Sequence, residues 1–225
     1  MVTTLGNASP RWLYAHGFAS GPGSMKGVAL AKHYAARSVH LERLDLRLPS
    51  FEHLRLSAIL EAMRLAIGSE ADRAVVFGSS LGGLAAARLA ESDPRVRALV
   101  LLAPGFRIAE QLAKRVGEAD MRRWRDTGWM ETYDHAQQRQ ARVDYGFYED
   151  AAVLDARNGG WPHVRVPTLV IHGVNDDTCS IDVTRTWARE RRNVHLVEVD
   201  DGHELKDSLP LIQREADRFL AAFLD

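Results

Sequence analysis

The chain has 225 residues, 46% hydrophobic and 26% charged, which is the composition of an ordinary globular protein long enough to bury a full core. Its formal net charge is −1, so no basic excess exists to neutralise phosphates, and nucleic-acid binding is not expected. Cys179 is the one cysteine, which excludes an internal disulfide and a multi-cysteine zinc site; we expect neither a metal nor another cofactor.

The length of the chain fits one domain over residues 1–225. The first eleven residues contain no apolar run of signal-peptide length. No segment reaches the roughly 18 consecutive apolar residues that are needed to cross a bilayer. We therefore expect no membrane contact and a cytoplasmic location.

Short apolar runs alternate with helix-period stretches along most of the chain. Six runs are predicted to be strands, at 13–15, 39–46, 74–77, 98–103, 168–171 and 194–199. Helices are predicted at 24–37, 52–67, 84–90, 181–191 and 216–224. Strands that alternate with helices pair in parallel, so we expect a three-layer α/β/α sandwich around a mostly parallel sheet of about six strands.

The alternation breaks between the fourth and fifth predicted strands, in a segment that holds most of the aromatic residues of the second half of the chain. Within it, 108–125 is typical of a helix, and 128–133 with 142–145 is typical of a hairpin. We expect a cap or lid insertion at about 105–163, above the strand ends. Exposed aromatic side chains there could equally form a homodimer contact.

The turn after the third strand has the pattern G-x-S-x-G at 78–82, with Ser80 at its centre. The pattern alone is weak, but here an apolar strand precedes it and an Ala-rich helix follows it. A nucleophilic serine requires that setting, because it sits on a sharp strand-to-helix turn whose neighbours must be small. The helix N-terminus then points at the developing oxyanion. The alternative is a Gly-rich connector with an N-cap serine.

A second motif, His-Gly-Phe at 16–18, directly follows the first strand. An amide of this loop and the amide after the nucleophile would together bind an oxyanion. The two donors would be the backbone N–H groups of Phe18 and Leu81. We expect His16 itself to hold the loop by hydrogen bonds.

Two other kinds of site are not supported by the residue spacing. A phosphate-binding loop would need the pattern G-K-[S/T], but in the Gly-rich segment 17–27 Lys26 is followed by Gly27. No His and Asp pair has metal-ligand spacing such as H-E-x-x-H.

The fifth strand leads into a loop with two adjacent acids, Asp176 and Asp177. An acid at the carboxyl end of a strand can orient an imidazole and stabilise its charged form. The residues leave two assignments open, because either acid could do this while the other caps a helix or faces solvent. His172 precedes both acids at the end of a buried strand, so we expect it to serve the core or anchor the loop.

The last strand is followed by the loop 200–204, which contains His203. A single histidine on a loop is usually a surface residue. Here, however, it completes the chain order of serine, acid and histidine, and Gly202 frees the backbone beside it. The other histidines lie in predicted strands, helices or the insertion, or precede the acid.

Together these segments are similar to the α/β-hydrolase superfamily from about residue 11 to the C-terminus. The matching stretches are 14–24, 78–83, 172–176 and 201–204. The extended loop H-G-F-x-S-x-P-x-S and the doubled serine resemble small bacterial serine esterases of the YqiA type. In the superfamily the acid is the Asp of a G-x-x-D pattern, which here is Asp176.

The chain departs from the fuller superfamily pattern in two places. Only about ten residues precede the first strand, so the resemblance implies an α/β-hydrolase fold that lacks the first two strands. Cys179 and Ser180 stand where many relatives carry valine and proline.

The resemblance implies a carboxylesterase-like serine hydrolase with Ser80 as nucleophile, Asp176 as acid and His203 as base. Its substrate would be a small ester or thioester. Three side chains are candidates for lining the substrate pocket: Ser20, Trp124 and Trp129. Two alternatives are an acyl thioesterase on the same triad and a non-catalytic scaffold of the same fold that binds a ligand or partner.

Overall fold

The computed structural model describes residues 9–224 of the chain. Its strands are β1 (Arg11–Ala15), β2 (Leu41–Arg43), β3 (Ala74–Ser79), β4 (Val96–Leu102), β5 (Trp129–Asp134), β6 (Arg139–Asp144), β7 (Thr168–Gly173) and β8 (Val194–Val199). Its helices are α1 (Met25–Ala35), α2 (Leu56–Ile67), α3 (Leu81–Ser92), α4 (Ile108–Val116), α5 (Glu118–Thr127), α6 (Gly146–Asp155), α7 (Ile181–Ala188) and α8 (Leu209–Phe219). Within residues 9–224 no helix combines the length and the apolar character that crossing a membrane requires.

Six of these strands form one sheet in the order β2-β1-β3-β4-β7-β8, and every neighbouring pair is parallel. This confirms the predicted parallel sheet of six strands. The order places β2 and β3 on opposite sides of β1, so the direction in which the sheet grows reverses at β1. In parallel α/β sheets, ligand sites form at the carboxyl ends of the strands beside such a reversal.

Helices cover both faces of the sheet, as successive residues of β3 show. Val76 packs in an apolar cluster with residues of α2, α3 and α7, whereas Val75 and Phe77 pack with residues of α1 and α8. All three side chains are fully buried. A strand that is buried on both faces reads as a continuous apolar run. The predicted three-layer α/β/α architecture is therefore confirmed.

Two predicted element bounds differ from the structure for identifiable reasons. The last helix begins at Leu209 rather than at 216, with Pro210 in its first turn, where the missing N–H is tolerated. Its buried face includes Ile212 and Ala216, one helical turn apart. Strand β2 spans only Leu41–Arg43 rather than 39–46, because these three residues alone pair with β1, its one neighbour in the sheet.

The segment between β4 and β7 contains α4, α5, the hairpin of β5 and β6, and α6. The hairpin is antiparallel and pairs Trp129 with Asp144, close to the predicted pairing of 128–133 with 142–145. The segment 108–125, predicted to be helical, forms two helices rather than one, because the chain breaks at Gly117, whose φ of 83° leaves the helical region. Helix α6 is an addition that the sequence analysis does not predict.

Candidate active site

Ser80 occupies a strained turn between β3 and α3. Its φ is 54° and its ψ is −117°, a backbone conformation that non-glycine residues rarely adopt and that carries a strain of roughly 1–3 kcal/mol. The neighbouring positions must be small: a Cβ at Gly78 would overlap the carbonyl oxygen of Gly82, and one at Gly82 would overlap that of Ala15. The turn therefore lifts Ser80 above the end of β3, at the N-terminus of α3.

The imidazole of His203 lies between Ser80 and Asp176. Its Nε2 is 3.0 Å from Ser80 Oγ, and its Nδ1 is 2.7 Å from Asp176 Oδ2. An ionised carboxylate only accepts hydrogen bonds, so Nδ1 carries the proton and Nε2 is free to accept one from the hydroxyl. The structure thus brings together the three side chains that the sequence analysis selected.

The side chain of Asp176 is fully buried, and its carboxylate accepts four hydrogen bonds. Asp176 Oδ1 accepts from the backbone N–H groups of Thr178 at 2.9 Å and Cys179 at 2.7 Å. Oδ2 accepts from His203 and, at 3.0 Å, from His172 Nε2. Burial alone would raise the pKa of Asp176, but the bonds from His172 and His203 outweigh it and hold that pKa well below its usual range.

The neighbouring acid is arranged differently. Asp177 is exposed, and its carboxylate accepts a hydrogen bond from the hydroxyl of Thr178 at 3.1 Å. Of the two acids that the residue pattern leaves open, Asp176 is the one in contact with His203.

The loop after β1 passes directly against the nucleophile, since a Cβ at Gly17 would lie 3.2 Å from Ser80 Cβ. The hydrogen bonds among residues 9–224 leave the N–H groups of Phe18 and Leu81 without a partner. Buried His16 fixes the loop: its Nδ1 donates to the carbonyl of Gly17 at 2.9 Å, and its Nε2 accepts from the N–H of Leu46 at 3.0 Å. Burial also lowers the pKa of His16, which favours this neutral ring.

A cavity of about 1160 Å³ opens around Ser80 and His203. Its lining contains both apolar and polar residues. The apolar side chains include Phe18, Ile108, Leu112, Met130 and Phe147. The polar residues include Ser20, Ser24, Lys26, Gln138 and Glu204. Cys179 also lines the cavity as a neutral thiol, because burial raises its pKa to about 12.

Two of the three predicted lining residues require correction. Ser20 lines the cavity, but Trp124 and Trp129 do not. Trp124 is buried within the β4–β7 segment, where its Nε1–H donates to the carbonyl of Val143 at 3.0 Å. The ring of Trp129 instead lies against Arg142, with the guanidinium carbon 3.9 Å from the ring centroid.

The residue missed on β5 is Met130, which lines the cavity directly after Trp129. Successive strand residues point to opposite faces, so only one of the two can face the cavity. The sequence shows that alternation but does not indicate which face of the hairpin lies toward the cavity.

Within residues 9–224, no three His, Cys, Asp or Glu side chains are grouped so that they could hold a metal ion.

A model of one protein family, described as "Uncharacterised protein family (UPF0227)", matches residues 11–220 of the chain. No curated protein matches the chain. The family match covers nearly all of the segments that form the sheet and the site.

Solved structures match nearly the whole chain at low sequence identity. Alpha/beta hydrolase domain-containing protein 10 from mouse is 17% identical, with 96% of this chain and 91% of that chain covered and a TM-score of 0.78. Est1E from Butyrivibrio proteoclasticus, with ferulic acid bound, is 19% identical over 100% and 93% of the two chains, with a TM-score of 0.77. A monoacylglycerol lipase from Paleococcus ferrophilus is 15% identical over 96% of both, with a TM-score of 0.74. These likenesses show the α/β-hydrolase fold.

Proposed function

Because the chain belongs to the UPF0227 family and has the α/β-hydrolase fold, we propose that it is a serine hydrolase that cleaves carboxylic esters. The observation that carries the proposal is the hydrogen-bonded series from Ser80 Oγ through His203 to Asp176. A hydroxyl joined to a base that is itself oriented by a buried carboxylate is the arrangement that nucleophilic acyl transfer needs.

The reaction would proceed in two steps. In the first, His203 Nε2 takes the proton of Ser80 as Oγ attacks the ester carbonyl, and the N–H groups of Phe18 and Leu81 hold the oxyanion. His203 then gives that proton to the alcohol as it departs. The acyl group remains bound to Ser80. In the second step His203 deprotonates a water that attacks the acyl group, and the proton returns to Ser80 as the acid departs.

The cavity supports an acyl group with apolar character. The apolar side chains of its lining would contact such an acyl group, whereas Ser20, Ser24 and Glu204 offer hydrogen bonds to the alcohol part of an ester. A lining with both apolar and polar side chains also fits an aromatic acid such as the one bound in Est1E. We infer that residues of about 105–163 form a cap within a single α/β-hydrolase domain, because Leu112, Met130 and Phe147 of that segment line the cavity.

Hydrolysis of p-nitrophenyl esters from acetate to palmitate tests the proposal, with Ser80→Ala run in parallel. We expect activity that peaks at one chain length and falls by roughly 10⁶-fold in kcat in the variant. Ser79→Ala is the matched control, because it removes the other hydroxyl of the doubled serine and should leave activity near that of the wild type. Retention of substantial turnover by Ser80→Ala would overturn the assignment.

A fluorophosphonate probe gives a second readout that does not depend on the substrate. We expect it to label wild type and Ser79→Ala but not Ser80→Ala. Labelling of Ser80 with no hydrolysis at any chain length would redirect the search to acyl thioesters. Failure to label the wild type would instead support a non-catalytic scaffold.

A further inference from the structure

The imidazole of His172 is completely buried at the end of β7, and the proposed reaction does not use it. Its Nε2 lies 3.0 Å from Asp176 Oδ2 and 2.9 Å from the backbone carbonyl oxygen of Cys179. One ring nitrogen therefore contacts both the carboxylate and the far end of the loop that carries it.

The protonation of this ring follows from its partners. A carboxylate and a carbonyl oxygen can only accept, so Nε2 of His172 must carry a proton. Nδ1 is buried and has no hydrogen-bond partner among residues 9–224. A proton on Nδ1 would leave a buried charge with no acceptor, so the ring is neutral and acts as a fixed donor toward Asp176.

We propose that His172 is a positioning residue for the catalytic acid, whose Nε2–H fixes the orientation of the Asp176 carboxylate toward His203. This inference rests on the proposed function. Oδ1 is held by two backbone N–H groups, so Oδ2 is the atom whose direction decides the contact with His203 Nδ1. Without the donor of His172, that oxygen keeps only His203 as a partner among residues 9–224.

The carbonyl of Cys179 gives His172 a second effect. Asp176 accepts from the N–H of Cys179, and His172 donates to the carbonyl of the same residue. The ring thus closes the loop from Gly173 to Cys179 around the carboxylate. Loss of a group that orients a metal-ligating side chain typically changes affinity or activity about 10–100-fold, and we expect an effect of similar size for a group that orients a catalytic carboxylate.

Substitutions that differ only in whether a donor reaches Asp176 test the inference. In His172→Gln, the amide nitrogen can occupy the place of Nε2, whereas in His172→Asn the same amide is one carbon too short. We expect His172→Asn and His172→Phe to lower kcat about 10–100-fold with KM within about twofold of the wild type. His172→Gln should recover most of the loss.

Thr184→Val is the matched control for removing a buried polar atom, because its hydroxyl is likewise buried without a hydrogen-bond partner among the described residues. It should leave kcat unchanged. The rate at which fluorophosphonate labels Ser80 should follow the kcat series in all variants. Equal losses in His172→Gln and His172→Asn, or wild-type kcat in His172→Phe, would overturn the positioning role. If the wild type itself is not labelled, the proposed function fails instead.

Discussion

At the scale of single residues, the buried carboxylate of Asp176 keeps its charge because four N–H groups point at it. Each donor favours the ionised form, and together they exceed the effect of burial on the pKa. The folded protein therefore binds a proton at this site more weakly than the unfolded chain does. That difference links the site to the stability of the whole protein.

We expect the ionised Asp176 to stabilise the fold above the pKa of an unfolded aspartate, which is about 3.9. As pH falls below that value, the unfolded chain takes up the proton first and this stabilisation is lost. The stability difference between wild type and Asp176→Asn should therefore shrink as pH falls from about 5 to about 2. Urea unfolding of both proteins across this range measures it, and a difference that does not vary with pH would contradict the expectation.

At the scale of elements, the β5–β6 hairpin is fixed to the rest of the molecule at both ends. At the tip, fully buried Asp134 pairs with Arg47 at 2.5 Å. At the other end, Asp144 accepts two hydrogen bonds from Arg55, at 2.6 and 2.9 Å. Next to the tip, the N–H of His135 donates to the carbonyl of Ala19 at 2.9 Å. The hairpin therefore supports the loop that carries Phe18.

Asp134→Ala should destabilise the protein by about 3 kcal/mol, because it leaves the guanidinium of Arg47 largely buried without its partner. We also expect slower labelling of Ser80, since the contact of the tip with Ala19 would loosen. Glu131→Ala is the matched control, being an exposed residue of the same strand. Chemical denaturation and labelling rates measure both effects; unchanged stability in Asp134→Ala would show that the tip is not anchored by this pair.

Some of these elements can be predicted from the sequence, and others cannot. Apolar runs identify the central strands because helices bury both of their faces. The turns at strand ends point to Ser80, His203 and one of two adjacent acids, and the resemblance to the superfamily selects Asp176. The break at Gly117, the presence of α6 and the inward face of β5 depend on packing between distant segments. For that reason the sequence predicts Trp129 as a lining residue instead of Met130, one residue later. The donor role of His172 likewise depends on a contact across the acid loop, which spacing alone does not give.

At the scale of the whole molecule, one apolar cluster joins the sheet to the segment between β4 and β7. It contains Trp124, Val143 and Phe147 from that segment together with Leu84 of α3 and Leu99 of β4. Because these side chains share one core, neither part can expose its apolar surface without uncovering the other. The proposed cap is therefore expected to unfold together with the sheet.

Thermal unfolding should accordingly be a single transition. The fluorescence difference between wild type and Trp124→Phe reports on the β4–β7 segment, whereas far-ultraviolet circular dichroism reports on all helices and strands. We expect the two signals to change at the same temperature. An earlier change in the Trp124 signal would show that the segment unfolds independently of the sheet.

All of the proposed chemistry lies at the carboxyl ends of the strands of the sheet. The amino ends of the strands are therefore available for engineering. The turn before β3, with exposed Glu70 and Ala71, lies at the amino end of the strand that leads to Ser80. The six residues of β3 separate the two by about 20 Å. A tether inserted between Glu70 and Ala71 would therefore leave the cavity mouth facing outward, which makes this turn a natural place for immobilisation on a solid support or for a new chain terminus made by circular permutation.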